Sequence, residues 1–197
     1  MKRPAPNLEL ADAVRDKPAF VAMLRAKFAL DWHGFHGAGH WARVAHNGRI
    51  LCRASGANPR VVWLFALLHD LRRRDEGSDP QHGPRAAAFI REIADKHLLL
   101  DREELEQLCE ACIGHSEGET TKHPTIAACW DADRLDLGRV GTRPHAKFLS
   151  LEAARDPRLM GGAWRQSEAW VNHWRRRVAD PGSRRRDGHK ASGGSGS

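Results

Sequence analysis

Residues 61–70 read VVWLFALLHD, an apolar run that closes on two polar residues. Asn58 and Pro59 stand before it. This pair is typical of a helix start, because asparagine caps free N–H groups and proline suits the first turn. A helix that is apolar on nearly every side is normally buried. We therefore predict that this segment is the central core helix and that it ends at His69 and Asp70.

Helical periodicity continues on both sides of this segment, and no stretch alternates as a strand does. The fold class predicted is therefore all-α, a helical bundle in a single domain over residues 1–180. A flexible, disordered basic Gly/Ser tail, in part of cloning origin, is expected over residues 181–197. The other predicted helices cover residues 8–30 with a bend at Pro18, 39–55, 81–96, 101–115, a segment that opens at Pro124, and 164–178.

The basic charge of the chain is concentrated near its C-terminus. The net charge is +7, and residues 175–197 supply +5 of it, from seven Lys and Arg against two Asp. Because the excess charge lies in this C-terminal segment, it does not indicate a nucleic-acid-binding domain. The longest apolar run, Val61 to Leu68, is too short for a membrane span, and the N-terminal residues lack the apolar region of a signal peptide. A cytoplasmic protein is expected.

Four cysteines are present, and without a secretory signal a disulfide framework is not expected. Cys109, Cys112 and His115 form a C-x-x-C-x-x-H run that could bind zinc. A structural zinc site normally has four protein ligands, however, and at helical spacing such cysteines more often pack as small apolar residues. We therefore favour the packing interpretation.

His69 and Asp70 are unusual residues at the end of a buried helix. Burying an unpaired carboxylate is costly, and a bound cation is one remedy. The alternative is a helix end that is exposed to water or caps a neighbour. Two further polar motifs favour the cation, HGAGHWARV at residues 36–44 and DADRLD at residues 131–136.

In this order, the motifs resemble the H…HD…D signature of the HD-domain metal-dependent phosphohydrolase superfamily, over about residues 36–141. The resemblance implies an HD-domain helical bundle that binds a divalent metal, with Mn, Ni, Co, Fe, Mg and Zn all open as its identity. The implied ligands are His40, His69, Asp70 and Asp131.

His82 and His115 lie between the HD pair and Asp131, where family members with two metals likewise carry two histidines. Two interpretations stay open. Either these residues hold a second ion, or they orient other ligands and bind a phosphate oxygen.

The implied activity is hydrolysis of a phosphate ester or nucleotide by metal-activated water, with Asp70 essential for it. Such a reaction needs positive charge around the phosphate oxygens. Arg43 follows His40 by three residues and Arg134 follows Asp131 by three, so each arginine should share a helix face with its ligand. The candidate substrate-binding residues are His36, Arg43, Arg134 and Lys147, and the two arginines are also candidate catalytic residues.

One position departs from the family pattern. Several HD phosphohydrolases carry a glutamate or lysine three residues after the HD aspartate, and here that position is Arg73. The general acid or base is therefore unassigned, with Asp75, Glu76 and Asp133 as the nearby carboxylates.

Two other functions compete with the hydrolase. Some HD-fold proteins use a di-iron centre to activate oxygen, and six ligands would suit that chemistry. A nucleic-acid-binding or scaffold protein could instead use the basic tail, although the aromatic residues are not interleaved with the basic run. The partner expected is a small phosphorylated substrate or nucleotide, with neither nucleic acid nor membrane.

Overall fold

The computed structural model describes residues 13–179, and this part of the chain is helical, which confirms the all-α prediction. The one extended pairing within it is an isolated antiparallel bridge between Val14 and Leu98. The α-helices are α1 (Lys17–Lys27), α2 (Ala38–Ser55), α3 (Pro59–Leu68), α4 (His82–His97), α5 (Arg102–Gly114), α6 (Pro124–Arg134) and α7 (Pro157–Ala179). Short 3₁₀ helices cover Leu137–Val140, Ala146–Phe148 and Ala153–Arg155.

Helix α3 is the centre of the core, as its apolar sequence predicts. It packs against α2, α5 and α6, and its Val61, Leu64, Phe65 and Ala66 are fully buried. Helix α4 packs on α5, and α7 lies across the 3₁₀ helix Leu137–Val140 and touches α2. His69 and Asp70, which follow α3, are buried, so the polar residues at its C-terminal end lie in the interior of the bundle.

Several helix ends lie where the sequence predicts them. The side chain of Asn58 accepts a hydrogen bond at the start of α3, and Asp101 and Glu104 form a reciprocal capping box at the start of α5. Helix α2 ends at Gly56, whose φ of 73° lies in the left-handed region that glycine adopts without strain.

Two predicted helix boundaries are wrong. Pro18 does not bend a longer helix, because α1 begins at Lys17 with the proline in its first turn and Asp16 as its cap. Helix α7 begins at Pro157, earlier than the predicted start at residue 164. The predicted tail over residues 181–197 lies outside the described residues.

None of the helices within residues 13–179 has both the length and the apolar character needed to cross a lipid bilayer.

Candidate metal centre

Polar side chains from several helix ends meet in the interior of the bundle. Helix α2 supplies a side chain from its first turn, and α4 supplies that of its first residue. Helices α3 and α5 supply side chains at their C-terminal ends, and α6 supplies one from its last turn. Each side chain is buried. In chain order they are His40, His69, Asp70, His82, His115 and Asp133.

The first half of the cluster joins α2, α3 and α6. His40 Nε2 lies 3.1 Å from His69 Nε2 and 3.3 Å from Asp133 Oδ1. Asp70 Oδ2 lies 3.6 Å from His40 Nε2 and 3.4 Å from His69 Nε2. Two imidazole nitrogens and two carboxylate oxygens therefore face one point.

The second half surrounds the other oxygen of Asp70. Asp70 Oδ1 lies 3.4 Å from His82 Nε2, 3.9 Å from His115 Nε2 and 3.5 Å from Arg73 Nη1. The two imidazole nitrogens are 2.8 Å apart. Asp70 thus connects two groups of donor atoms, one through each carboxylate oxygen.

Hydrogen bonds fix which ring nitrogen of each histidine faces the cluster. Nδ1 of His40 contacts Asp136, and Nδ1 of His69, His82 and His115 contacts a main-chain carbonyl oxygen. Because these oxygens accept hydrogen bonds, each Nδ1 must carry the hydrogen and donate it. Every neutral ring therefore turns the lone pair of Nε2 inward, as a metal ligand does.

The charge states of His115 and Asp133 also suit a cation. Burial lowers the pKa of His115 to about 4, so its ring is neutral near pH 7. Burial opposes ionisation of Asp133, but nearby positive charge, including that of Arg139, outweighs it and holds the pKa of this carboxyl well below its usual range. The buried oxygens Asp70 Oδ1 and Asp133 Oδ1 have no hydrogen-bond partner among residues 13–179.

Lone pairs and unpartnered carboxylate oxygens that face each other repel unless a cation or proton lies between them. The donor atoms of His40, His69 and Asp133 all lie within 4.8 Å of one another, and those of His69, Asp70 and His115 do as well. Nitrogen and oxygen donors of this kind suit a divalent transition metal. The residues present therefore fit a divalent metal ion.

The family model described as "HD domain" matches residues 37–153. The chain belongs to the HD domain family. Among solved structures, it is similar to a protein described as a predicted HD superfamily hydrolase from an uncultured Thermotogales bacterium. That comparison covers 80% of this chain and 90% of the other at 21% identity, with a TM-score of 0.58. Comparison with curated proteins gave no match. The HD pair itself, His69 and Asp70, lies at the centre of the cluster.

Asp131 does not join the cluster in this HD domain, contrary to the prediction. Its carboxylate accepts hydrogen bonds from the main-chain N–H groups of Ser150, at 2.8 and 3.0 Å, and Leu151, at 2.7 Å. Burial raises the pKa of Asp131. Asp133 faces the histidines instead, because residues two apart on a helix point about 200° apart. The carboxylate of Asp131 anchors the segment that follows the 3₁₀ helix Ala146–Phe148.

Arg43 does not face the open side of the site, which is also contrary to the prediction. Its Nε and Nη2 donate to the two oxygens of Asp136, at 2.6 and 3.0 Å, and its guanidinium lies 4.6 Å from the centre of the Trp170 ring. Asp136 also accepts a hydrogen bond from His40. Arg43 therefore supports the residue that orients His40.

An open cavity of about 460 Å³ ends at the cluster. Asp70, His82, His115 and Asp133 form part of its wall, and the apolar part includes Leu137, Val140, Phe148 and Leu149. The cationic residues that line it are Arg73, Arg134, Arg139 and Arg143.

Of the four predicted substrate-binding residues, His36 and Arg134 line this cavity, whereas Arg43 and Lys147 do not. Arg134 donates from Nη1 to Phe148 O at 2.7 Å, and its buried Nη2 has no partner among the described residues. His36 also lines the cavity, with its Nδ1 2.5 Å from Glu76 Oε2. Lys147 is not part of the wall, and its ammonium lies over the Phe148 ring instead.

Sequence reasoning missed Arg139, Arg143 and the orienting role of Asp136. One signal was available for Asp136, because it follows Asp133 by three residues, a spacing that places two side chains on the same side of a helical segment. The cysteines, in turn, are packed as expected. Cys109 and Cys112 are buried, and their predicted role as small apolar residues agrees with the position of His115, whose Nε2 faces Asp70.

Proposed function

We propose that this HD domain is a metal-dependent phosphohydrolase that acts on a phosphate ester or nucleotide. The observation that carries the proposal is the cavity, which has a cation-binding group of histidines and aspartates at one end and four arginines in its wall. The description of the structural relative as an HD superfamily hydrolase supports the same class.

The ion would be held by His40, His69, Asp70 and Asp133. When bound, a divalent cation lowers the pKa of a water molecule to about 7 and polarises a phosphoryl oxygen. The four side chains come from α2, from the end of α3 and from α6 and are buried, so the packed core fixes their positions before substrate arrives.

The arginines would bind and orient the substrate phosphate. Arg134 is the strongest candidate, because one of its nitrogens is fixed by Phe148 O while Nη2 is unpartnered. Arg139 is fixed through Nε to Phe35 O at 3.1 Å. Charge-assisted hydrogen bonds from such fixed guanidinium groups stabilise the charge that develops on phosphoryl oxygens.

Glu76 is our candidate for the proton-transfer group. It lines the cavity beside His36, and burial raises the pKa of its carboxyl. Burial also lowers the pKa of His36 to about 3, so the His36 ring is neutral and donates to Glu76. A carboxyl group with a raised pKa is suited to give a proton to the leaving oxygen.

The test is phosphate release by the purified protein, loaded with a metal identified by mass spectrometry, from a panel of nucleotides and phosphorylated sugars. Arg134→Gln should lower kcat/KM about 10- to 100-fold, the loss of one hydrogen bond to a charged group. Lys147→Ala is the matched control and should be close to wild type. Iron-loaded, coloured protein that releases no phosphate from any of these substrates would favour the oxygenase instead.

A further inference from the structure

The second half of the metal centre already contains a cation, the guanidinium of Arg73. Arg73 Nη1 lies 3.2 Å from His82 Nε2, 3.4 Å from His82 Nδ1 and 3.5 Å from Asp70 Oδ1. His115 Nε2 faces the same oxygen of Asp70. A second metal ion would be bound by Asp70, His82 and His115.

The guanidinium is fixed in this position by the loop after α3. Nε of Arg73 donates to Asp75 O at 2.9 Å, and Nη2 donates to Gly77 O at 2.6 Å. The side chain is largely buried, with 12% of its surface exposed. Two main-chain acceptors therefore direct the third nitrogen, Nη1, at the histidine pair.

A divalent ion bound to the same atoms would meet a like charge at close range. An arginine side chain does not lose its proton in a protein, so it cannot relieve the repulsion by becoming neutral. The repulsion between buried charges is also weakly screened. A second ion could bind only if Arg73 left both of its main-chain acceptors.

We propose that Arg73 takes the place of a second metal ion, so that the protein binds one divalent cation per chain. His82 and His115 then contact the guanidinium and do not ligate metal. Since Arg73 also lines the cavity, its charge is available to the substrate phosphate on the side of Asp70 opposite the ion. The proposal rests on the metal-binding part of the proposed function and not on hydrolysis. The single ion is assigned to His40, His69, Asp70 and Asp133.

The test counts bound Mn²⁺ by equilibrium dialysis of the full chain followed by mass spectrometry. Wild type should bind one ion, and Arg73→Gln should bind two, because the neutral side chain frees the second group of donors. Arg73→Lys keeps the charge and should bind one. His82→Ala in the wild-type background should also leave the count at one, whereas combined with Arg73→Gln it should return the count from two to one.

Two bound ions in wild type, or one in Arg73→Gln that retains its helical circular dichroism, would overturn the inference. Wild type that binds no ion would contradict the metal site and this inference together. Wild type that binds one ion but releases no phosphate would contradict only the hydrolase.

If Arg73→Gln does not fold, electron paramagnetic resonance of wild type at saturating Mn²⁺ decides the question. The spectrum of an isolated ion is expected. An exchange-coupled pair would overturn the inference.

Discussion

At the scale of the single residue, each histidine of the metal centre is oriented by the acceptor of its Nδ1–H group. His69, His82 and His115 donate to main-chain oxygens, which a side-chain mutation does not remove. His40 differs, because its acceptor is the carboxylate of Asp136 at 2.7 Å. The position of this one ligand therefore depends on another side chain.

Asp136→Asn should weaken Mn²⁺ binding about 10- to 100-fold, the range typical for residues that orient a metal ligand. The variant loses a charged acceptor for His40 and leaves the buried charge of Arg43 without its partner. Titration calorimetry measures the affinity. Ser167→Ala is the control, because it removes only the hydroxyl that donates to Asp136 at 2.6 Å, and its effect should be smaller. Equal affinity in Asp136→Asn and wild type would contradict this role.

Asp131 and Asp133 allow a direct comparison of two neighbouring carboxylates. Asp133→Asn should weaken Mn²⁺ binding by more than about 100-fold, beyond the effect of residues that only orient ligands. Asp131→Asn should leave that affinity unchanged but lower the free energy of unfolding by about 1–3 kcal/mol, because its amide NH₂ would face the N–H groups of Ser150 and Leu151. Calorimetry and urea denaturation measure the two effects. The opposite pattern would restore Asp131 as the ligand.

The sequence predicts the chemistry of this site better than it predicts which residue supplies each group. His40, His69 and Asp70 lie together in the interior, and for His69 and Asp70 this position follows from their place at the end of the most apolar helix. The choice between Asp131 and Asp133 depends on the rotation of α6 about its axis. Both aspartates are buried, so hydrophobic patterning does not distinguish them. The main-chain N–H group of Ser150, which donates to Asp131, lies in a loop distant in sequence.

At the scale of the helix, the N-terminus of α4 lies very close to the C-terminus of α5. A Cβ atom added at Gly83 would lie 2.3 Å from Cys112 O and 3.0 Å from Ile113 O. The contact is with the main chain, so a side-chain rotation cannot relieve it. The absence of a side chain at Gly83 is what lets His82 and His115 approach each other.

Gly83→Ala should lower the free energy of unfolding by about 1–3 kcal/mol, the usual cost of overpacking a core. Gly162→Ala in α7 is the matched control, because a Cβ atom there meets nothing within 4 Å. It should be neutral or stabilise the protein by up to about 1 kcal/mol through helix propensity. Urea denaturation measures both. A Gly83→Ala variant as stable as wild type would show that α4 can shift without cost.

Three helix ends were predictable because a local interaction sets each of them. Asn58, Gly56 and the Asp101–Glu104 pair act within a few residues, and the sequence alone identifies them. The start of α7 at Pro157 was not predicted. The glycines Gly161 and Gly162 are poor helix formers, and they argue against a helix here although the side chain of Asp156 caps its start by accepting from Arg158 N at 2.7 Å.

At the scale of the whole molecule, the proposed ion would cross-link α2, α3 and α6. A ligand that binds only the folded state stabilises it by about 2.7 kcal/mol when present at 100 times its dissociation constant. For a domain of this size, that should raise Tm by about 5–10 °C. Differential scanning calorimetry with Mn²⁺ and with chelator measures the shift. Asp133→Asn should show little of it, and an equal shift in that variant would move the ion elsewhere.

Side chains link helix α7 to His40, one of the residues that would hold the proposed ion. Ser167 and Trp170 of α7 contact Asp136 and Arg43, and Asp136 orients His40. Binding free energies are reciprocal, so an ion that tightens the packing of α7 is itself held more tightly when α7 is packed. Any molecule that docks on the exposed face of α7 and stabilises it should therefore increase the affinity for the metal, and metal loading should increase the affinity for that molecule by the same factor.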